Sequence, residues 1–247
     1  MSISYNLYLV ALSYAIAAFG SFTALQLAIR IPTSRGGTMW SWLLFSALAL
    51  GGGAIWSMHF IGMLAYKMPM KVAYDPMLTV GSLLIAIVIA AIGLYIVGRG
   101  KGSIARLLFA GVAGGLGVCA MHYSGMAAMI MPAKVHYDMM LVGLSVVIAI
   151  VAATVALWLA FNLRGNWQRF GSALVMGAAV CGMHYTGMTA VTMTPDTKGR
   201  ILTSSSYSPE FIALTIFGLA AALLLFLLVI AMYQVSDNQI EDSAVFE

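Results

Sequence analysis

The sequence predicts an all-α membrane protein of seven transmembrane helices, built as three helical-hairpin repeats plus a seventh helix. Three observations carry that expectation. Of the 247 residues, 62% are hydrophobic and only 8% charged, against about 25% charged in an ordinary soluble domain, and the mean hydropathy is +0.97. Seven apolar stretches, near residues 5–29, 40–66, 77–97, 104–130, 139–163, 168–193 and 210–233, have the length a helix needs to cross a bilayer. One segment is written three times, as Met58-His59-Phe60-Ile61-Gly62-Met63, Met121-His122-Tyr123-Ser124-Gly125-Met126 and Met183-His184-Tyr185-Thr186-Gly187-Met188.

The first stretch has no Lys or Arg before it, the earliest being Arg30, so it lacks the basic leader of a signal peptide and reads as a retained helix. The second holds Gly51-Gly52-Gly53 and then the first motif copy. The third opens on Asp75-Pro76, an N-cap followed by proline at the first helical position. The fourth carries Gly114, Gly115 and Gly117 ahead of the second copy, the fifth follows Tyr137-Asp138 as the third follows Tyr74-Asp75, and the sixth carries the third copy. The seventh has no motif. It leads to a short acidic tail, 234–247, with Asp237, Glu241, Asp242 and Glu247. Residues 1–233 thus read as one membrane domain with repeats at about 5–68, 77–131 and 139–194.

Loop charge gives an orientation. The connections after the first, third and fifth spans hold Arg30, Arg35, Arg99, Lys101, Arg106, Arg164 and Arg169 with no acid among them; those after the second, fourth and sixth hold Lys67, Lys71, Lys134, Lys198 and Arg200, offset by Asp75, Asp138, Asp196 and Glu210. Basic loops stay in the cytoplasm, which puts the N-terminus in the periplasm, the C-terminus inside and the motifs near the outer face of a bacterial inner membrane. The pI of about 9.1 then reflects juxtamembrane cations facing anionic lipid, not nucleic-acid binding.

The repeat extends past the motif. Lys71-Val72-Ala73-Tyr74-Asp75 recurs as Lys134-Val135-His136-Tyr137-Asp138, and Pro69, Pro132 and Pro195 follow the motif histidines by ten, ten and eleven residues. That spacing predicts that each proline closes a motif helix, two to three turns beyond the motif, and that spans two, four and six run parallel.

A histidine in hydrocarbon is costly and usually functional; three in one register point to a common site. Residues four apart share a helix face, so His59 pairs with Met63, His122 with Met126 and His184 with Met188. Three residues before the histidine stand Trp56, Cys119 and Cys181, the cysteines being either small buried hydrophobes or auxiliary ligands. Met58, Met121 and Met183 lie about 100° around the helix and face a neighbour or a second site. Gly62, Gly125 and Gly187 fit as small contacts that let helices approach. Imidazole with thioether suits copper, above all Cu(I), as one or two ions; three histidines alone also suit zinc, and iron or haem stays open, although the glycines argue against room for a macrocycle. The outlying methionines read as packing and His136 as a solvated loop residue.

At these motifs the chain resembles the MHYT domains, bacterial integral-membrane sensor modules named for their Met-His-Tyr-Thr signature, and the resemblance covers essentially the whole chain. It implies a sensory input domain of the inner membrane that binds copper through motif residues, with Tyr123 and Tyr185 as further candidates, and answers to oxygen, carbon monoxide, nitric oxide or a redox cue. It also implies a cytoplasmic output partner, a cyclic di-GMP enzyme or a histidine kinase, and no catalysis by this chain itself. The first copy departs from the pattern: Phe60 stands where the others have tyrosine, and no output domain follows within these residues. A copper transporter or chaperone, or a metal-dependent membrane oxidoreductase, is the alternative. The spans hold no late lysine for retinal and no interior acids for proton pumping.

Overall fold

In lipid a long apolar run satisfies its backbone only as a helix, and seven helices form among the described residues of the computed structural model: 4–68, 72–99, 103–162, 165–196 and 209–244, with backbone alone at 195, 209, 210 and beyond 233. They are α1 (Leu7–Ala28), α2 (Gly36–Ala65), α3 (Pro76–Gly98), α4 (Ile104–Ala127), α5 (Met139–Asn162), α6 (Asn166–Thr189) and α7 (Pro209–Ala244). Six are long and apolar enough to cross a membrane. The other, α6, is as long but opens on Asn166, Gln168 and Arg169. The protein is an integral membrane protein. Helices α1 to α6 close into a ring in chain order, with α6 returning to α1, and α7 lies outside it against α1 and α2.

The motif helices α2, α4 and α6 end sooner than the prolines predict. Their last residues are Ala65, Ala127 and Thr189, about one and a half turns after each histidine rather than two to three. The chain then enters short antiparallel ladders where the sequence alone reads as loops: β1 (Ala73–Tyr74) with β2 (Met129–Ile130), β3 (Ala133–Tyr137) with β4 (Val191–Pro195), and a bridge between Tyr5 and Tyr66. The cause is backbone pairing. The amides of Asn6, Asp75 and Asp138 donate to the carbonyls of Ala65, Ala128 and Ala190, each at 2.8 Å, so carbonyls at each helix end find a partner in the strand that starts the same repeat. Pro195 sits at a strand end, where its missing amide costs nothing. Pro69, Met70 and Lys71 lie outside the described residues.

Asn6, Asp75 and Asp138 also cap the helices they precede, accepting from the amides of Tyr8, Leu78 and Met140. Helix α2 differs from its two counterparts: its middle, Leu48–Trp56, is π-helical. Glycine is needed there because a Cβ on Gly51 would come within 2.5 Å of the Ala86 carbonyl of α3 and one on Gly53 within 2.6 Å of Leu224 on α7.

Candidate metal centre

The three parallel motif helices bring His59, His122 and His184 to one point on the axis of the ring, each fully buried. Their Nδ1 atoms form a near-equilateral triangle with edges of 3.1, 3.1 and 3.3 Å, and their rings stand almost perpendicular to one another at centroid separations of 4.8, 5.0 and 5.2 Å. A neutral imidazole nitrogen either carries a proton or a lone pair. Of three mutual contacts, therefore, at most two can join a donor to an acceptor, and the third sets like against like. A cation on the axis resolves all three, since every Nδ1 then presents a lone pair to it. The triangle's centre is about 1.8 Å from each corner, close to the ~2.0 Å at which imidazole binds such metals. Rings this close leave no space for a macrocycle between them.

The opposite nitrogens, Nε2, find no hydrogen-bond partner among the described residues. Each lies on the motif glycine of the next repeat: His59 on Gly125, His122 on Gly187, His184 on Gly62. A Cβ on Gly187 would fall 2.5 Å from the His122 nitrogen, and those on Gly62 and Gly125 closer still. The motif glycines thus make room for a neighbour's imidazole and not only for a neighbour's backbone, and the three contacts run one way round the ring.

One turn beyond the histidines, Met63, Met126 and Met188 share a single buried cluster with Phe60 and Val191. Helical phase sends Met58, Met121 and Met183 elsewhere, into three separate clusters, the second beside Ile55 and Ala86, the third beside Cys119 and Ala149. Of the sequence candidates, then, three methionines gather next to the triad and three do not. The cysteines are both free and neither joins the histidine group.

The tyrosine hydroxyls also point away from the triad. Tyr123 bonds Ser145 of α5 at 2.8 Å and Tyr185 bonds Ser13 of α1 at 2.9 Å. Because Ser13 and Ser145 donate to Val10 and Val142, their own i−3 carbonyls, the tyrosines are the donors. In the first repeat Phe60 has no hydroxyl, and Trp56, one turn earlier, takes the place: its Nε1 donates to Ser82 of α3 at 3.1 Å, while Ser82 donates to Thr79. Every motif helix is latched in this way to the first helix of the next repeat. A second ring of contacts lies above: Tyr74 packs on Phe60, Tyr137 on Tyr123 and Tyr5 on Tyr185, with centroids 5.7, 5.8 and 5.5 Å apart. Burial pushes the Tyr5 phenol up to about 12 and raises Tyr74 and Tyr137 as well, so these caps stay neutral. His136 is exposed on β3, bonded to Thr194.

Sequence reading missed the latch serines and Tyr5-Asn6. The signal was present: Ser13, Ser82 and Ser145 are spaced by 69 and 63 residues, as are Tyr5, Tyr74 and Tyr137. Six extra residues between Ser13 and His59 put this match out of step with the motif offset of 63.

Threefold repetition around a buried histidine triad defines a membrane module of a repeat class, and no catalytic domain is present in these residues. The chain belongs to the MHYT family, described as the bacterial signalling protein N terminal repeat, whose model matches residues 52–110, 115–173 and 177–240. It is similar to the bifunctional diguanylate cyclase/cyclic di-GMP phosphodiesterase MucR of Pseudomonas aeruginosa, 46% identical over 192 residues that cover 76% of this chain and 28% of the relative. The cyclic di-GMP phosphodiesterase NbdA of the same organism is 37% identical over 77% of the chain and 25% of the relative, and the signaling protein YkoW of Bacillus subtilis 35% identical over 78% and 25%. The chain therefore spans about a quarter of the length of these relatives. No solved structure matches it. The family's units are cut at the motif helix, which in the second unit places Tyr123 and its latch partner Ser145 together.

Proposed function

We propose that this chain is the sensory input of a cyclic di-GMP signalling system and that its three motif histidines hold one copper ion, in a domain with the N-terminus in the periplasm and the C-terminus in the cytoplasm. The observation that carries the metal reading is the Nδ1 triangle, which three neutral imidazoles cannot satisfy among themselves. The thioethers of Met63, Met126 and Met188, gathered one turn beyond it, favour a soft ion over zinc. Copper bound there would supply a redox-active centre able to take a diatomic ligand, to change oxidation state, or to make copper itself the cue. The chain's own residues do the rest. The glycines fix the imidazole planes, and the latches tie each motif helix to the next repeat. Gly53 packs the π-helical segment against Leu224 of α7, the helix that leaves the ring at the end remote from the histidines. A change at the triad biases an output partner only by the difference in its affinity for the two arrangements.

Metal analysis of the purified chain tests the site: one copper per chain is expected, with loss on His59→Ala, His122→Ala or His184→Ala alone and none on His136→Ala. Retention of full copper by all three triad variants would overturn it. Orientation is tested separately, since alkaline phosphatase fused after residue 247 should be inactive in the periplasmic assay. Transport of copper is disfavoured by the far end of the axis, where the buried side chains of Leu25, Leu94 and Leu157 offer no ligand.

A further inference from the structure

Beneath the histidines, on the side away from Met63, Met126 and Met188, the ring borders a cavity of about 70 Å³ that is partly open between the helices. Its roof is Ile55, Val118 and Val180, each four residues before a motif histidine and hence on the same helix face one turn below. Its floor is Leu25, Leu94 and Leu157, one from each repeat at the spacing of the latch serines. Between them the first helix of each repeat presents a small residue at the same register: Ala24, Gly93 and Ala156. Among the described residues no polar side chain lines it. Such a cavity stays dry.

A void weakens packing, and a larger residue in any one repeat would fill this one. All three repeats nevertheless keep a small residue at that register, so the space follows the threefold design and is not a local packing fault. Its size limits what fits. It is about half the ~150 Å³ that admits benzene, too small for an acyl chain or a ring, and its lining rejects water and ions. We propose that this chamber is a binding site for one compact apolar molecule, of the size of a diatomic, held below the histidine triad and separated from it by Ile55, Val118 and Val180. Apolar molecules of this size concentrate in hydrocarbon, so the surrounding bilayer is the source, and the triad is approached from within the membrane while the methionine cluster covers its other side.

The consequence for sensing rests on the metal reading above, but the chamber can be tested without it by using xenon as the probe. Crystals or ¹²⁹Xe NMR of the full chain under xenon pressure should show one xenon between the triad and the leucine floor. Ala90→Leu with Ala153→Leu, on walls distant from the histidines, should abolish that xenon and leave copper content unchanged. Ala153→Val, a milder filling, should weaken it should the double variant fold poorly. Absence of xenon in the unsubstituted protein, or xenon held equally by both filled variants, would overturn the chamber while leaving the metal site standing; xenon binding in a protein that holds no copper would do the reverse.

Discussion

The first repeat and the other two reach the same geometry by different routes. In the second and third repeats a regular α-helix carries a tyrosine next to the histidine, and that tyrosine bonds a serine of the following repeat. In the first, the helix is π-wound from Leu48 to Trp56, the tyrosine is Phe60, and Trp56 reaches the serine instead. Trp56 occupies the position that Cys119 and Cys181 hold elsewhere, three residues before the histidine. The π segment ends at this tryptophan, immediately before the α-helical turn that carries His59, which sets the indole toward α3 while the imidazole still faces the axis. Symmetry is therefore kept where three groups must meet, at the Nδ1 atoms and the glycines, and relaxed at the periphery, where a hydrogen bond to a serine is all that the fold requires. The π segment also carries Gly53, the contact to α7, which neither other motif helix makes in this way. A π turn inside a helix commonly marks a functional position, and here it marks the repeat joined to the helix that leaves the ring.

If the triad is symmetric in function, the glycine beneath each imidazole should matter equally. Gly62→Ala, Gly125→Ala and Gly187→Ala each push a methyl into the Nε2 of a neighbouring histidine, an overpacking that costs about 1–3 kcal/mol and tilts the ring out of the triangle. All three should lower copper content to a similar, large extent, with the ring displaced belonging to a different repeat from the substitution. Retention of copper by Gly62→Ala alone would show that the first repeat is looser than the others at the centre as well as the edge.

A smaller effect separates the two kinds of latch. Hydrogen bonds between membrane helices are worth about 0.6 kcal/mol on average, so Tyr123→Phe and Tyr185→Phe should each cost roughly that in unfolding experiments, and Trp56→Phe more through its larger ring. The decisive variant is the double one, Trp56→Phe with Phe60→Tyr, which rebuilds in the first repeat the arrangement of the other two. Recovery of part of the stability lost in Trp56→Phe would establish that indole and phenol are interchangeable donors to Ser82. No recovery would mean that the π segment has rotated the first motif helix out of the common register at that level.

These differences also mark what could be read from the chain. The spans, the parallel motif helices and the meeting of three histidines follow from hydropathy and from a period near 63, both long-range patterns that survive local detail. The phase argument separating Met63, Met126 and Met188 from Met58, Met121 and Met183 needed only helical geometry, and the two groups do part company in the clusters they join. The strands at the motif end were not legible because they are two to five residues long and are set by pairing across repeats, not by alternation within one. Nor was the π turn: Gly51-Gly52-Gly53 was visible, but a glycine run in a membrane helix reads equally well as close packing, which it also provides.

The smallest expected effect concerns sulfur. Met→Leu nearly conserves volume and costs under about 1.5 kcal/mol in packing, so it removes a thioether with limited harm to the fold. The three methionines beyond the triad are buried together, and the first repeat contributes Met63 to that group on the same terms as the others. If one copper draws on them, Met63→Leu, Met126→Leu and Met188→Leu should each loosen copper retention under a competing chelator more than Met58→Leu, Met121→Leu or Met183→Leu, whose side chains lie in three different clusters. Equal losses from both groups at two coppers per chain would call for a second ion among the dispersed methionines. At one copper per chain the same equality would break the argument from helical phase, because sulfurs on separate faces cannot reach a single point on the axis together with the histidines.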